Sequence, residues 1–594
     1  MKLSDIVAQF LAEQGIRHVF VLSGGASLHL IHSIAETPGT SIVCPHHEQA
    51  GAMEADAYAR VGGSLGCAVA TSGPGATNLI TGICSSYYDS VPVLYLTGQV
   101  ASFRAKGDSG VRQIGFQETE MIDICRSITK YAVLIKDPYS IRHELNKAVA
   151  IAKAGRPGPV LVDIPDDLQR MDIDPTKLAE YRPEGADVPA RISSDAIAAC
   201  IAALKNARRP VIVFGWGVHL SKAEAEARQL AELLGAPVAF TWAALDLLPY
   251  EHPLAVGGFG THGVRYANFA VQNADLILSV GSRLDTKATG TPPSSFAREA
   301  KIIMVDIDPA ETGKFGRLGR KIDLALNVDA RAFLQALVHA AGKEKFPDFT
   351  PWLEKVGQWK ARYPACRPEH AREREVNPYW FIKQLAGQLA GDEIIVSDTG
   401  CALAWTMQAF EFKQGQRFFH AFNNTPMGYG VPGAIGACFA RPGKRVVLIT
   451  GDGSLQTAIY EFATLVRNRL PVKIFMLNNR GHGMVRQTQD MWLGGNHYAT
   501  SVDGGLAAPN FVAIANAYGI PAENVKLNQD VRERISHALS SEGPAFLSIE
   551  IDEESRVEPQ VKYGRPNEDA EPLLERSEFL SNMLVKPMPA SLEK

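Results

Sequence analysis

Gly451-Asp452-Gly453-Ser454 and Asn478-Asn479 bracket the stretch that decides the fold. Ahead of the first lies Val446-Val447-Leu448-Ile449-Thr450, an apolar run that reads as a buried strand ending at the glycines. Ahead of the second lies Pro471-Val472-Lys473-Ile474-Phe475-Met476-Leu477, another strand, and Leu455 to Arg469 between them reads as a helix. Strand, glycine turn, helix and strand in this order build a parallel α/β sheet. Asp452 and Asn479 then sit at the carboxyl ends of neighbouring strands, where open sheets bind ligands. A carboxylate, an amide and a backbone carbonyl are hard oxygen donors. They suit Mg²⁺, with two diphosphate oxygens and a water completing the octahedron. Gly-Asp-Gly alone carries little information; with both strands and Asn-Asn it is specific.

A second glycine-rich strand end occurs at Ala70-Thr71-Ser72-Gly73-Pro74-Gly75-Ala76-Thr77-Asn78. Upstream, Ser41-Ile42-Val43-Cys44 leads into Pro45-His46-His47-Glu48 and then an alanine-rich helical pattern to Arg60. A glutamate at a helix start is favoured by the helix dipole alone.

At 594 residues the chain has room for three to four domains. The expected fold is α/β, with three doubly wound parallel-sheet domains at 1–185, 190–345 and 375–552 and a tail at 553–594. The polar, proline-bearing stretch 172–190 reads as a linker, and the charged stretch 343–376 as a second junction. The middle segment opens with a helix near Ser193 and has strands at Pro210–Phe214, Leu276–Val280 and Lys301–Asp306. The tail lacks periodicity and is expected to pack over the surface or close a site. No internal repeat is visible in the sequence. A net charge of −4 gives no electrostatic reason to expect nucleic-acid binding. Eight scattered cysteines without metal-ligand spacing read as thiols of a reducing compartment. With no signal-peptide pattern after Met1 and no apolar run of about 18 residues, a cytoplasmic location without membrane contact is expected.

The motif series resembles that of thiamine diphosphate (ThDP) enzymes and, to about residue 550, the catalytic subunit of the acetolactate synthase family. The matching stretches are Ser72–Leu79, Gly115-Phe116-Gln117-Glu118, Gly155-Arg156-Pro157-Gly158-Pro159, Val305-Asp306-Ile307-Asp308-Pro309-Ala310-Glu311 and Met427-Gly428-Tyr429-Gly430. The resemblance implies that Glu48 protonates the cofactor's aminopyrimidine and that Asp452, Asn479 and the Gly481 carbonyl hold Mg²⁺. It places Pro74, Asn78, Gly428, Gly451, Gly453 and Ser454 around ThDP, Met427 beneath its bend and Gln117 at the substrate pocket. In the middle segment it implies a structural FAD held by Gly258, His262, Gly263, Gly281, Arg283 and Asp306. It also implies a homodimer or homotetramer with each site between subunits, Glu48 of one chain facing Asp452 and Asn479 of the other.

The family pattern fails at three positions. Asp166 stands for a lysine, Lys287 for an arginine and Thr488 for a tryptophan, the last two in the region that receives the second substrate. Asn423-Asn424-Thr425-Pro426 replaces the glycines before Met427. Lysine is a point charge and cannot clamp a carboxylate with two parallel bonds. The expected activity is decarboxylation of a 2-oxo acid, pyruvate, with transfer of the acetyl unit to an acceptor carbonyl. The acceptor is open between a second pyruvate and a nucleotide-linked ketosugar, and simple decarboxylation is the rival. His46-His47 is read as part of the turn before Glu48, and His29 and His32 as rim or surface residues. A non-catalytic scaffold would lack Glu48, Asp452 or Asn479, and none is missing.

Overall fold

The computed structural model describes residues 1–182 and 192–592. From residue 183 onward, the linker expected at 172–190 lies outside the described residues, as does the boundary between 185 and 190. Three parallel sheets of six strands each organise the chain. The first contains β1 (His18–Val21), β2 (Ser41–Val43), β3 (Gly66–Ala70), β4 (Val93–Gln99), β5 (Tyr131–Leu134) and β6 (Val160–Pro165). The second contains β7 (Pro210–Phe214), β8 (Val238–Phe240), β9 (Ala255–Gly258), β10 (Leu276–Val280), β11 (Lys301–Val305) and β12 (Leu324–Leu326). The third contains β13 (Ile394–Ser397), β14 (Arg417–Phe419), β15 (Val446–Gly451), β16 (Val472–Asn478), β17 (Ala522–Val525) and β18 (Ala545–Glu550).

The first sheet runs β2-β1-β3-β4-β6-β5 and the third β14-β13-β15-β16-β18-β17, which is the same order shifted by twelve strands. This repetition of topology has no visible counterpart in the sequence. The middle sheet runs β9-β8-β7-β10-β11-β12, the order of a doubly wound mononucleotide-binding fold. The orders reverse at β1/β3, β7/β10 and β13/β15, and each of these reversals opens a crevice at the strand ends.

The first and third domains meet through the helices Glu48–Gly62 and Gly430–Ala440. Small residues line both: Ala50, Ala55 and Ala57 on one, Gly433, Ala434 and Ala437 on the other. At Gly436 a Cβ would lie 2.1 Å from the Glu54 carbonyl oxygen, so only glycine permits this approach. Beside this contact, Arg60 sits in a fully buried ion network. It donates to Asp56 and, at 2.8 Å, to Asp89. Tyr429 Oη donates to Asp56 Oδ1 at 2.6 Å, and the backbone N–H groups of Phe422 and Asn423 donate to Asp89 at 2.7 and 3.0 Å.

Two segments differ from expectation. The helix predicted over 455–469 is broken into Asp452–Gln456, a 3₁₀ turn at Ile459–Glu461 and Phe462–Arg467. The break turns Glu461 inward, where its carboxylate accepts from the His46 N–H at 2.8 Å. The charged stretch 343–376 is more than a junction, because it contains the helix Thr350–Arg362, whose Trp352 and Trp359 are buried against the middle domain. The tail is integral to the same domain. Phe579 is buried in its core, Trp359 Nε1 donates to Asn582 at 2.8 Å, and Arg298 pairs with the buried Glu568 at 2.8 Å.

Replacing Arg60 by Met would leave Asp56 and Asp89 facing each other without a cation. Removing one partner of a buried pair costs about 3–5 kcal/mol. A denaturation series on Arg60→Met should show a loss of that order, and wild-type stability would disprove the network's role.

Candidate active site

The crevice at β13/β15 is a cavity of about 260 Å³. Strand β15 ends at Gly451, and Asp452 opens a short helix, so its carboxylate projects from the strand end. β16 pairs with β15 in parallel, Gly451 opposite Leu477, which carries Asn479 alongside. Met427, Gly451, Asp452, Gly453, Ser454, Asn479 and Gly481 all line the cavity. Gly428 stands just behind the lining, its N–H bonded to Asp398 at 3.2 Å.

The Asn479 amide oxygen faces two other oxygens, Gly481 O at 2.8 Å and Asp452 Oδ1 at 3.1 Å. Turned end for end, the amide donates to both oxygens; turned the other way, its own oxygen joins them as a third donor for a cation. Mg–O bonds of about 2.0–2.1 Å require adjacent oxygens of an octahedron to lie roughly 2.9 Å apart. The two separations from Asn479, to Gly481 O and to Asp452 Oδ1, lie on either side of that edge length. Burial pushes the Asp452 carboxyl up to about 7, against backbone N–H donors at Gly453 and Gly481 that favour its ionised form.

The glycines have local reasons. A Cβ at Gly453 would lie 2.7 Å from His482 Cδ2 and 3.3 Å from Met427 Cε, and one at Gly483 would lie 2.2 Å from Asn479 Nδ2. Arg486, buried, donates to the Asn479 carbonyl at 2.8 Å and braces the loop from behind. Asp398, at the end of β13, was not singled out by sequence reasoning. It accepts from Thr399, Gly428 and Gly430 N–H at 2.8, 3.2 and 2.9 Å and so fixes the turn that carries Met427. Burial raises its pKa to about 6. The signal available was an aspartate directly after a buried strand and just before Gly400.

The first domain assembles its own group. His47 caps the helix that Glu48 begins, accepting from Gln49 N–H at 3.1 Å. Asn78 Nδ2 donates to Glu48 Oε2 at 2.9 Å. Gly75 passes so close that a Cβ would lie 3.1 Å from Glu48 Oε1. Pro74 starts the short helix that carries Asn78, and Gln117, with φ of +63°, lies against Gly73. Glu48, Pro74, Asn78 and Gln117 are thus together, but every residue lining the 260 Å³ cavity belongs to the third domain. His29 is half-buried and His32 exposed on the helix Leu28–Glu36.

The expected middle-domain residues split. Gly281, Arg283 and Asp306 line a cavity of about 230 Å³ at the β7/β10 reversal. Gly258, His262 and Gly263 do not. Gly258 ends β9, and Gly263 turns its own loop so tightly that a Cβ would lie 2.5 Å from Phe259. His262 lines a separate void of about 10 Å³ with Lys287 and Met407. Thr488 bonds within its helix, to Met484 O at 3.1 Å, and lines neither cavity.

These features fit three family models, each describing a thiamine pyrophosphate enzyme: the N-terminal TPP binding domain over residues 1–125, the central domain over 197–337 and the C-terminal TPP binding domain over 398–549. Fold and site therefore define a ThDP-dependent enzyme. The chain is 35% identical to "Acetolactate synthase 1, chloroplastic" of Zea mays, covering 95% of this chain and 87% of that one. It is 34% identical to "Acetolactate synthase 2, chloroplastic" of Nicotiana tabacum over 95% and 84%, and 35% identical to "Probable acetolactate synthase large subunit" of Methanocaldococcus jannaschii over 93% and 92%. The chain belongs to the acetolactate synthase family. Among the described residues no helix is long and apolar enough to cross a membrane.

Gly453→Ala should press on His482 and Met427 and weaken ThDP binding by about tenfold, or ~1.4 kcal/mol. A ThDP titration on the folded variant measures this, and unchanged affinity would place the cofactor elsewhere.

Proposed function

We propose that this enzyme uses ThDP and Mg²⁺ to decarboxylate pyruvate and transfer the acetyl unit to an acceptor carbonyl. The gathering of the Asp452 carboxylate, the Asn479 amide and the Gly481 carbonyl in one cavity, with the amide 2.8 and 3.1 Å from the other two oxygens, carries the reading. When bound, ThDP supplies a nucleophilic carbon and an electron sink for the departing carboxylate. The chain's residues bind, orient and move protons around it. The three groups would hold a cation against the diphosphate. Met427 and Gly428, positioned through Asp398, would lie against the cofactor. Glu48, oriented by Asn78, holds a proton for the pyrimidine ring.

Because Glu48 and the cavity belong to separate domains with separate linings, we assign a complete site to two chains, each contributing one half, as a homodimer or a higher even assembly. Gln117 borders the substrate on the Glu48 side. The acceptor side lacks a bidentate clamp, since Lys287 replaces an arginine and Thr488 points into its own helix. This supports an acceptor held by its shape and polar groups rather than by a carboxylate pair, with pyruvate and a ketosugar nucleotide as the substrates to compare.

Purified protein with ThDP, Mg²⁺ and pyruvate should consume pyruvate, and mass analysis should detect acetolactate if the acceptor is pyruvate. Carbon dioxide release without acetolactate would direct the search to ketosugar nucleotides; no pyruvate loss would refute the donor. Glu48→Gln should lower kcat by about 10²–10⁴-fold, the range of general acid–base effects, with the fold intact. Asp452→Asn, or chelation of the wild type, should abolish Mg²⁺-dependent ThDP binding. Binding that ignores chelation would refute the metal site.

A further inference from the structure

The cavity at β7/β10 and the void around His262 share two lining residues, Thr241 and Trp242. Trp242 is therefore the wall between them. Phe422, 2% exposed, lies against it with ring centroids 6.1 Å apart and 36° between planes. Phe422 cannot swing aside with its loop, because its N–H is bonded to the buried Asp89 at 2.7 Å. Beyond the wall about 10 Å³ remains, space for one water. His262 Nε2 is buried there without a partner among the described residues, and burial keeps the ring neutral by pushing its pKa to about 3.

On the near side, about 230 Å³ lies at the reversal point of a mononucleotide-binding sheet. Lys153, Arg156 and Arg283 line it as donors, the two arginines held side by side by Glu311 at 2.8 and 3.0 Å; Asp306 and Asp329 offer acceptors, and Trp216, Val305, Ile307 and Val328 supply apolar wall. That set suits a base, a ribose and a diphosphate.

We propose that this cavity takes a nucleoside diphosphate of the ADP class and that the Trp242–Phe422 pair excludes a flavin ring. The chain then departs from the FAD that its family resemblance implies. Full-length protein titrated calorimetrically should bind ADP at least tenfold more tightly than adenosine and no more weakly than FAD. The protein as purified should show no flavin absorbance. Arg283→Ala should weaken ADP at least tenfold. Trp242→Leu, and Trp242→Leu with Phe422→Gly, should gain affinity for FAD while keeping ADP. Absence of ADP binding overturns the nucleotide site. Stoichiometric flavin in the wild type, or folded variants that gain no FAD affinity, overturns the exclusion. None of these readouts depends on pyruvate turnover, so they stand apart from the carboligase assignment.

Discussion

One guanidinium holds the three domains in register. Arg60 is paired with Asp56 and Asp89 from its own domain and lies over the rings of Tyr429 from the third domain and Trp216 from the middle one, 5.9 and 5.5 Å from their centroids. Trp216 Nε1 also donates to the Asp89 carbonyl at 2.8 Å. A charge buried this deeply is stabilised only when its partners are in place, so the network favours one docking of the domains over near alternatives. The apolar contact beside it, built on alanine and glycine, is close but carries little shape of its own. The ion network supplies the register that small side chains cannot.

The same network reaches both ligand cavities. Asp89 fixes Phe422 and Asn423, and five residues beyond Phe422, Met427 enters the cavity at β13/β15. Asp398 holds the far end of that turn through Gly428 and Gly430. A single segment, 422–430, is therefore pinned from the first domain at one end and from the third at the other. Its start lines the middle-domain cavity and its end the one at β13/β15.

Much of this is legible in the sequence. The strand ends at Asp452 and Asn479 and the helix start at Glu48 come from local patterns of glycine, apolar runs and charge, whereas Gly281, Arg283 and Asp306 come from the family resemblance. The break after Gln456 is not legible, because 455–469 has adequate helical periodicity and the interruption answers to His46, far away in sequence. The helix Thr350–Arg362 did leave a trace, two tryptophans seven positions apart, but dense lysine and glutamate around it resemble a linker. Asp398 belongs to no recognised motif. Trp242 and Phe422 meet only in the folded chain, so no local pattern reveals the wall they form or separates His262 from Gly281.

The tail's place in the middle domain has a consequence for how the protein matures. Phe579 and Glu568 seal a core whose own strands end at Leu326, and the entire third domain is made in between. Domains generally fold as units as they leave the ribosome. This one cannot complete itself in turn. Part of its apolar core stays unsealed through the synthesis of the neighbour, and transiently exposed apolar surface of that kind is what makes a nascent chain prone to aggregation.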